Sequence, residues 1–279
     1  MENFIVTTTR KPDSAQEIFA EEISQKLGGK FIQREDFSFD LLKKNHDAEN
    51  ILLVKKNSLS IVTAEGELFF HPNTAHLRIK NLRGGEGDRL IDALKISDGS
   101  KVLDCTLGLG SDAIVESFIV GAAGKVVALE INPLIAEIVS HGLKNFSDDS
   151  PHILEAMRRV KVINTDCGEF LKTCADNSFD VVYFDPMFRR PIKKSSGLNP
   201  IRPLADNRPL AKEIIAEACR VAKFRVVLKE HNGSSEFVRL GFKIVDGGKY
   251  SSVAFGVIDK NFFPSVDLNS QAKCKTSVS

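Results

Sequence analysis

The sequence lacks tryptophan, has only two tyrosines, and carries almost no excess of either charge. Among its 279 residues, 38 lysine and arginine residues balance 37 aspartate and glutamate residues, which gives a formal net charge of +1. This balance excludes a protein that binds polyanions over its whole surface, so any contact with nucleic acid must come from a local basic patch. The missing tryptophan excludes nothing by itself. With 42% hydrophobic and 27% charged residues, the chain can bury an ordinary core.

Cysteines are few and scattered. They are odd in number and form no C-x-x-C pair; the five are Cys105, Cys167, Cys174, Cys219 and Cys274. This pattern excludes a disulfide framework and gives no support for a zinc site. We therefore predict reduced thiols in a cytoplasmic protein, and no bound metal.

Long hydrophobic runs are also absent. The longest apolar stretch, residues 113–131, is interrupted by Glu116 and Lys125. The first residues, MENFIVTTTRKP, lack the basic start and the apolar region of a signal peptide. We therefore predict neither a signal peptide nor a membrane-spanning segment.

The sequence does contain a glycine-rich turn between a strand and a helix, residues 101–112 (KVLDCTLGLGSD). A short apolar run comes first, Gly108 and Gly110 follow as a bare turn, and Ser111 or Asp112 is placed to cap the next helix. Glycine lets a ligand touch the backbone, and the N–H groups of such a loop point at whatever lies above the strand. The pattern predicts a cofactor-binding loop.

Two kinds of cofactor fit the spacing of this loop. Residues 108–113 match the dinucleotide pattern G-x-G-x-x-G/A, and an acidic residue, Glu130, ends the next strand about 20 residues on. Asp104 and Thr106 precede the glycines and Asp112 follows them. Carboxylates on both sides of the loop would repel a diphosphate but attract the cationic sulfonium and amino groups of S-adenosylmethionine (SAM). We therefore favour SAM over a nicotinamide or flavin dinucleotide.

Further cofactor contacts are predicted at the ends of the next two strands. Glu130 can accept hydrogen bonds from both ribose hydroxyls. Asp166 is placed to meet the adenine amino group, with Cys167 at the edge of the ring. The alternative for Glu130 and Asp166 is a helix cap, although Asn132 could take that role in place of Glu130.

After a short helix over residues 88–95, strands and helices alternate from residue 101 onward. The predicted strands are 101–105, 125–130, 160–165, 179–184, 224–229, 242–246 and 252–258, and the predicted helices are 88–95, 112–120, 133–144 and 207–221. This alternation predicts a parallel sheet wound on both faces, and the short connection between the last two strands makes them an antiparallel hairpin. The fold class is thus α/β, and it resembles the seven-stranded, doubly wound, Rossmann-like sheet of class I methyltransferases.

Residues 1–80 are predicted to be a small N-terminal α+β domain. A helix through Leu27 and four short strands support it, the strands being 4–9, 51–54, 59–63 and 67–70. We expect these strands to form an antiparallel sheet with helix cover. Residues 81–264 are assigned to the methyltransferase domain and residues 265–279 to a polar tail.

A second motif, Asp185-Pro186-Met187-Phe188, follows the apolar run at 180–184. Loops after the first and fourth strands of an open α/β sheet are neighbours at the edge where ligands bind. The Asp185 carboxylate can accept hydrogen bonds from an exocyclic amino group of a nucleobase, Pro186 rigidifies the turn, and Phe188 can stack on the base. We predict methyl transfer to such an amino group; the alternative is an ordinary turn with Phe188 in the core.

A basic segment follows this motif at residues 189–208. Its cations are Arg189, Arg190, Lys193, Lys194, Arg202 and Arg208. Long loops in compact domains are usually functional or disordered, and cations beside a target pocket suit contact with a phosphate backbone. Lys229, at the end of a later strand, points toward the same rim. The alternative is a solvated loop without a ligand.

Four segments together resemble the bacterial small-subunit ribosomal RNA guanine-N2 methyltransferases of the RsmJ type and their uncharacterised relatives. They are LDCTLGLGSD (103–112), ALEINP (128–133), VYFDPMF (182–188) and RVVLKE (225–230). The resemblance covers roughly residues 82–260 and implies SAM use and N2 methylation of a guanine in 16S rRNA. It carries cofactor contact onto Asp104, Gly108, Gly110, Asp112 and Glu130, and target contact onto Asp185 and Phe188. The segment after Phe188 and the first 80 residues depart from the family pattern.

Four functions are consistent with these motifs, of which a dinucleotide-dependent oxidoreductase is the least favoured. The first is an RNA N-methyltransferase that holds an extruded base above residues 185–188. The second is a small-molecule methyltransferase that uses the N-terminal region as a lid. The third is a cofactor-binding or RNA-binding protein without turnover, which the retained Asp185 and Phe188 argue against.

Overall fold

The computed structural model describes residues 3–148, 150–186, 196–247 and 251–260, with the side chains of 196–199 left aside. Two β-sheets with helices packed against them make up this part of the chain. The first sheet contains β1 (Phe4–Thr8), β2 (Lys30–Phe31), β3 (Asn50–Val54), β4 (Leu59–Thr63) and β5 (Gly66–Phe69). The second contains β6 (Lys101–Asp104), β7 (Lys125–Glu130), β8 (Val160–Asn164), β9 (Phe179–Phe184), β10 (Ala222–His231), β11 (Lys243–Asp246) and β12 (Val253–Asp259).

The second sheet has the predicted topology. Its order is β11-β12-β10-β9-β6-β7-β8. From β10 to β8 all neighbours are parallel, and β12 runs antiparallel to both β10 and β11. The α/β fold class and the seven-stranded sheet of class I methyltransferases are therefore confirmed.

Helices cover both sheets. They are α1 (Ser14–Leu27), α2 (Phe39–His46), α3 (Asn73–Arg83), α4 (Arg89–Leu94), α5 (Ser111–Val120), α6 (Pro133–Asn145), α7 (Pro151–Arg159), α8 (Cys167–Thr173), α9 (Lys212–Val221) and α10 (Glu236–Leu240), with a 3₁₀ helix over Ser196–Leu204. The helix predicted over 207–221 begins later, at Lys212, because Pro209 disfavours helical backbone at Arg208 and has no N–H to donate.

The first sheet is mixed, and the expectation of an antiparallel sheet was wrong for part of it. Its order is β2-β1-β3-β4-β5, and β1 is parallel to both β2 and β3. Parallel neighbours need a crossover connection, which α1 supplies between β1 and β2. Only β3, β4 and β5 pair in the antiparallel way.

The two sheets share one hydrophobic core. Buried residues of β3 and β4 belong to the same cluster as buried residues of α5, α6 and β6. Helix α6 packs on β4, and a Cβ on Gly142 of α6 would meet the ring of Phe70 at 2.2 Å. The predicted domain boundary at residue 80 falls inside α3, and the division into two domains stays a prediction.

Strands β6 and β9 lie side by side at the centre of the second sheet. Val102 and Leu103 of β6 and most of β9 are apolar and buried, and Asp104 of β6 is paired with Tyr183 of β9. Because the two strands are parallel, the loops that follow them leave the same edge of the sheet. This register brings the glycine loop and the Asp185-Pro186 turn together.

Candidate active site

The glycine loop after β6 has the backbone that its sequence predicts. Gly108 and Gly110 have φ values of +50° and +78°, in the region that favours glycine. A Cβ on Gly110 would also lie 3.1 Å from the Val139 side chain. Gly110 itself is the N-cap of α5 and makes no side-chain cap, so the expected cap by Ser111 or Asp112 was wrong. The first N–H groups of α5 are left facing the space above the loop.

A cavity of about 640 Å³ lies at this edge of the sheet. Most of the predicted site residues within the described part of the chain line it: Thr106, Gly108, Gly110, Asp112, Glu130, Asp166, Cys167, Asp185, Pro186 and Lys229. Phe188, Arg189, Arg190, Lys193 and Lys194 lie outside the described residues. The glycine loop and the Asp185-Pro186 turn are thus two walls of one cavity.

Asp104 lies behind the cavity wall. It is only 1% exposed, and its Oδ1 accepts a hydrogen bond from the Thr106 N–H at 2.9 Å. Burial raises the pKa of Asp104 to about 8, although the bond from Thr106 opposes this shift. Thr106 Oγ1 in turn accepts the N–H of Asp185 at 2.6 Å. Asp104 therefore supports Thr106, which links the cofactor loop to the target turn.

Asp112 has three side-chain donors. Its Oδ1 accepts from the Arg78 guanidinium, and its Oδ2 accepts from the Tyr183 hydroxyl at 2.8 Å and from Lys229 Nζ at 3.0 Å. Burial alone would raise the pKa of Asp112, but the charges of Lys229 and Arg78 outweigh it and lower the pKa to about 2. Asp112 is therefore ionised, and two cations already balance its charge.

Lys229 joins Asp112 to Asp185. Its Nζ donates to Asp185 Oδ2 at 2.6 Å as well as to Asp112. Burial raises the pKa of Asp185 to about 6, against the opposing charge of Lys229 and with the help of the Asp112 charge. At neutral pH the Asp185 carboxylate is mostly ionised and can accept hydrogen bonds.

Glu130 lines the cavity, and Asn132 takes the role of helix cap. The Asn132 side chain accepts the N–H groups of Leu134 and Ile135 at the start of α6. Glu130 Oε2 accepts the N–H of Gly108 at 3.1 Å. Burial raises the pKa of Glu130 to about 7, although backbone N–H groups, including that of Gly108, oppose the shift.

Asp166 is the N-cap of α8, as the alternative interpretation expected. Its Oδ1 accepts the N–H of Glu169 at 3.1 Å. Its Oδ2 accepts from the Arg208 guanidinium at 2.6 Å, and Arg208 also pairs with Asp206. One cation of the predicted basic segment therefore lies at the Asp166 end of the cavity.

Sequence reasoning missed Arg78 and Tyr183. Arg78 of α3 lines the cavity and pairs with both Asp88 and Asp112. Tyr183 is buried in β9, one residue among an apolar run. Their shared partner, Asp112, lies 34 positions from Arg78 and 71 from Tyr183 along the chain, so no local pattern indicated these two contacts. The only local signal was that Thr74 and Arg78 lie four residues apart on one helix and therefore share a face.

The cavity fits SAM. A Cβ on Gly108 would meet nothing nearer than 4.0 Å, so the space above the bare loop is open. The polar groups of the cavity suit SAM. Glu130 can accept hydrogen bonds from the ribose hydroxyls, and the N–H groups of the glycine loop and of the start of α5 can donate to acceptor atoms of SAM. Aliphatic side chains of Ile131, Ile135 and Ile214 line the same cavity and suit a flat base.

The described part of the chain has neither a metal-binding cluster nor a membrane-spanning helix. No group of three or more histidine, cysteine, aspartate or glutamate residues there could hold a metal ion. Among the same residues, no helix has both the length and the apolar character needed to cross a bilayer.

The sheet order, the glycine loop and the cavity between two strand ends define a class I SAM-dependent methyltransferase. The chain belongs to the family of SAM-dependent methyltransferases whose model matches residues 34–239. It therefore uses SAM as its cofactor.

The chain is similar to two relatives and shares its fold with one solved structure. The chain is 40% identical over 255 residues to the uncharacterised protein YpiP of Bacillus subtilis, which covers 91% of this chain and 98% of that one. It is 31% identical to ribosomal RNA small subunit methyltransferase J of Pseudomonas fluorescens over 58% of this chain and 62% of the relative, and so spans less than two thirds of that protein. A crystal structure of the SAM-dependent methyltransferase NGO1261 from Neisseria gonorrhoeae has the same fold, with a TM-score of 0.61 and 19% identity over 93% of this chain and 99% of that one.

Proposed function

We propose that this protein transfers the methyl group of SAM to an exocyclic amino group in RNA, namely N2 of a guanine in small-subunit ribosomal RNA. The observation that carries the proposal is the Asp185-Pro186 turn, which lines the cofactor cavity and is tied to the cofactor loop through Thr106. Similarity to ribosomal RNA small subunit methyltransferase J supports the choice of RNA. Such a substrate would place the protein in the cytoplasm.

The turn offers what a poorly nucleophilic amino group needs. The lone pair of such a nitrogen is delocalised into the base, and an ionised Asp185 that accepts an amino hydrogen favours the nucleophilic form. The bond from the Asp185 N–H to Thr106 fixes the turn, and Pro186 restricts its backbone. Bound SAM supplies an electrophilic methyl group. Asp185 or solvent can take the proton that the methylated nitrogen releases.

The remaining predicted contacts lie outside the described residues and belong to the proposal. Phe188 would stack on the base, and Arg189, Arg190, Lys193 and Lys194 would contact the phosphate backbone. A small-molecule acceptor is the second candidate, since a cavity of about 640 Å³ has room for a small acceptor beside the cofactor.

Asp185→Asn tests the catalytic role. We expect methyl transfer to fall by about 100-fold or more, because the amide keeps the size but offers a weaker acceptor, while S-adenosylhomocysteine binding changes less than threefold. The assay is methyl transfer to 16S rRNA from a strain lacking the protein, followed by mass spectrometry for N2-methylguanosine. The matched control is Asp180→Asn, because Asp180 lies at the opposite end of β9 and accepts the N–H of Lys101. Unchanged transfer in Asp185→Asn would contradict the proposal.

Removing the charges of the four cations that follow Phe188 distinguishes an RNA acceptor from a small-molecule acceptor. Glutamine at positions 189, 190, 193 and 194 should weaken RNA binding and reduce its dependence on salt, because fewer counterions are released. An enzyme with a small uncharged acceptor would keep its activity in this variant. Binding measured at several salt concentrations decides between them.

A further inference from the structure

We infer that Arg78, on helix α3 outside the methyltransferase sheet, binds the α-carboxylate of the methionine part of SAM, with Thr74 beside it. The inference rests on SAM use and not on the identity of the methyl acceptor. It adds a binding residue from a segment that precedes the cofactor loop by about one helix and one strand.

The polar groups of the cavity fall into two sets. Glu130 ends β7 and Asp166 follows the neighbouring strand β8, and both form one end with Arg208, which pairs with Asp166. Asp185 follows β9 and Lys229 lies in the neighbouring strand β10, and both form the other end with Asp112 and Arg78. Within the second set, Lys229 contacts both Asp112 and Asp185, and Asp112 contacts Arg78. The two ends therefore differ in what they offer a ligand.

The sulfur of SAM carries three substituents, and each must lie against a different part of the cavity. The adenosyl group belongs with Glu130, and the methyl group must face the acceptor at Asp185. The aminocarboxypropyl group then has the remaining wall, which α3 and α5 form with Thr74, Arg78 and Asp112. Its ammonium group suits the Asp112 carboxylate, and its carboxylate requires a cation.

Arg78 is the cation that α3 and α5 contribute to the cavity lining, and not all of its N–H donors have a partner. Its Nε and one terminal nitrogen donate to Asp88 at 2.7 and 2.8 Å, and the other terminal nitrogen donates to Asp112. A guanidinium carries five N–H groups, so three bonds leave two for a ligand. Its side chain is 21% exposed and held rigidly by two carboxylates. A planar, fixed guanidinium suits a carboxylate better than a mobile ammonium does.

Thr74 adds a hydroxyl group to the same face. It lies four residues before Arg78 in α3, is exposed, and also lines the cavity. The side chains of Thr74 and Arg78 therefore line the same part of the cavity.

The test compares two ligands, S-adenosylhomocysteine and its decarboxylated analogue S-adenosyl-3-thiopropylamine, by calorimetry on the full chain. The unchanged protein should bind the first about 10- to 100-fold more tightly, as expected for hydrogen bonds to a charged group. Arg78→Leu should reduce this preference to less than threefold while the affinity for the analogue changes little. Arg78→Lys, which keeps a cation and the fold, should give an intermediate preference.

The control is Arg83→Leu, since Arg83 is an exposed arginine in the last turn of the same helix and does not line the cavity. It should keep the full preference. A preference that survives in both Arg78 variants, or one that is lost on Lys229→Met and kept in Arg78→Leu, would overturn the inference. Because binding is measured without a methyl acceptor, failure of the RNA proposal would leave this result unchanged.

Discussion

Asp112 and Glu116 lie one turn apart on α5, yet their surroundings are opposite. Asp112 accepts hydrogen bonds from Arg78, Tyr183 and Lys229, and its pKa is lowered to about 2. Glu116 is fully buried, and neither of its oxygens has a hydrogen-bond partner among the described residues. Burial, with the nearby charges of Asp104 and Asp112, raises the pKa of Glu116 well above its ordinary value.

Contact with cations decides the charge of a carboxyl group in this site. Both carboxyl groups are removed from water, which by itself favours the protonated form. Only Asp112 accepts hydrogen bonds from Arg78 and Lys229, so its pKa is lowered, whereas burial raises the pKa of Glu116 against the more distant charges of the same two cations. Direct contact with the cations, and not the position on the helix, therefore determines the direction in which the pKa of each carboxyl group shifts.

The largest expected effect is that of Asp112→Asn. Removing this charge leaves Arg78 and Lys229 with one carboxylate partner fewer in a poorly solvated place, and we expect a loss of about 3 kcal/mol in the free energy of unfolding. Urea denaturation measures it. Asp92→Asn, at an exposed position on α4, should change stability by less than about 0.5 kcal/mol. A loss below about 1 kcal/mol for Asp112→Asn would remove the contrast with Glu116.

Glu116→Gln should have an effect that depends on pH. The pKa of Glu116 is higher in the folded than in the unfolded protein, so its stabilising contribution is complete below the unfolded pKa and is lost as pH rises toward the folded pKa. Glutamine does not titrate. The variant should therefore gain stability relative to the unchanged protein, by up to about 1.4 kcal/mol between pH 6 and pH 7. Denaturation curves at both pH values give the difference, and a constant difference would show that Glu116 is ionised.

The charge of Asp185 should likewise depend on a neighbouring cation, Lys229. Since Asp185 must be ionised to accept an amino hydrogen and its pKa is about 6, kcat/KM should rise with pH up to about 6 and then level off. Lys229→Met removes the ammonium that favours the ionised form, so the rise should move up by about one pH unit. The pH profile of both proteins tests this, whatever the maximal rate of the variant. A rise at the same pH in both would show that Lys229 does not control the charge of Asp185.

Arg208→Leu should have the smallest effect. Arg208 pairs with Asp166, but its side chain is 62% exposed, so water screens the ion pair. We expect stability to change by less than about 1 kcal/mol. Thermal and urea denaturation check this. If Arg208→Leu lowered the free energy of unfolding as much as Asp112→Asn, burial would not explain why the ion pairs of Asp112 are stronger than that of Arg208 with Asp166.

Local sequence patterns predicted the elements that carry the site. The glycine loop, the strand before Asp185 and the Glu130 position follow from short apolar runs and turn residues, and their neighbourhood follows from parallel winding. The pairs of Asp112 with Arg78 and of Asp185 with Lys229 join residues 34 and 44 positions apart, which no local pattern specifies. The position of Asp104 behind the wall, and the parallel pairing of β1, likewise depend on packing between distant segments.

The contact between Phe70 and Gly142 has a consequence for how the molecule unfolds. The aromatic ring of Phe70 occupies the space that a side chain at position 142 would need. The hydrophobic cluster that contains Phe70 includes residues of both sheets. Losing either sheet would expose apolar surface on the other, so the two should melt in one cooperative transition. The wall that carries Arg78 would then persist only while both sheets are intact, which makes cofactor capture sensitive to damage in the first third of the chain.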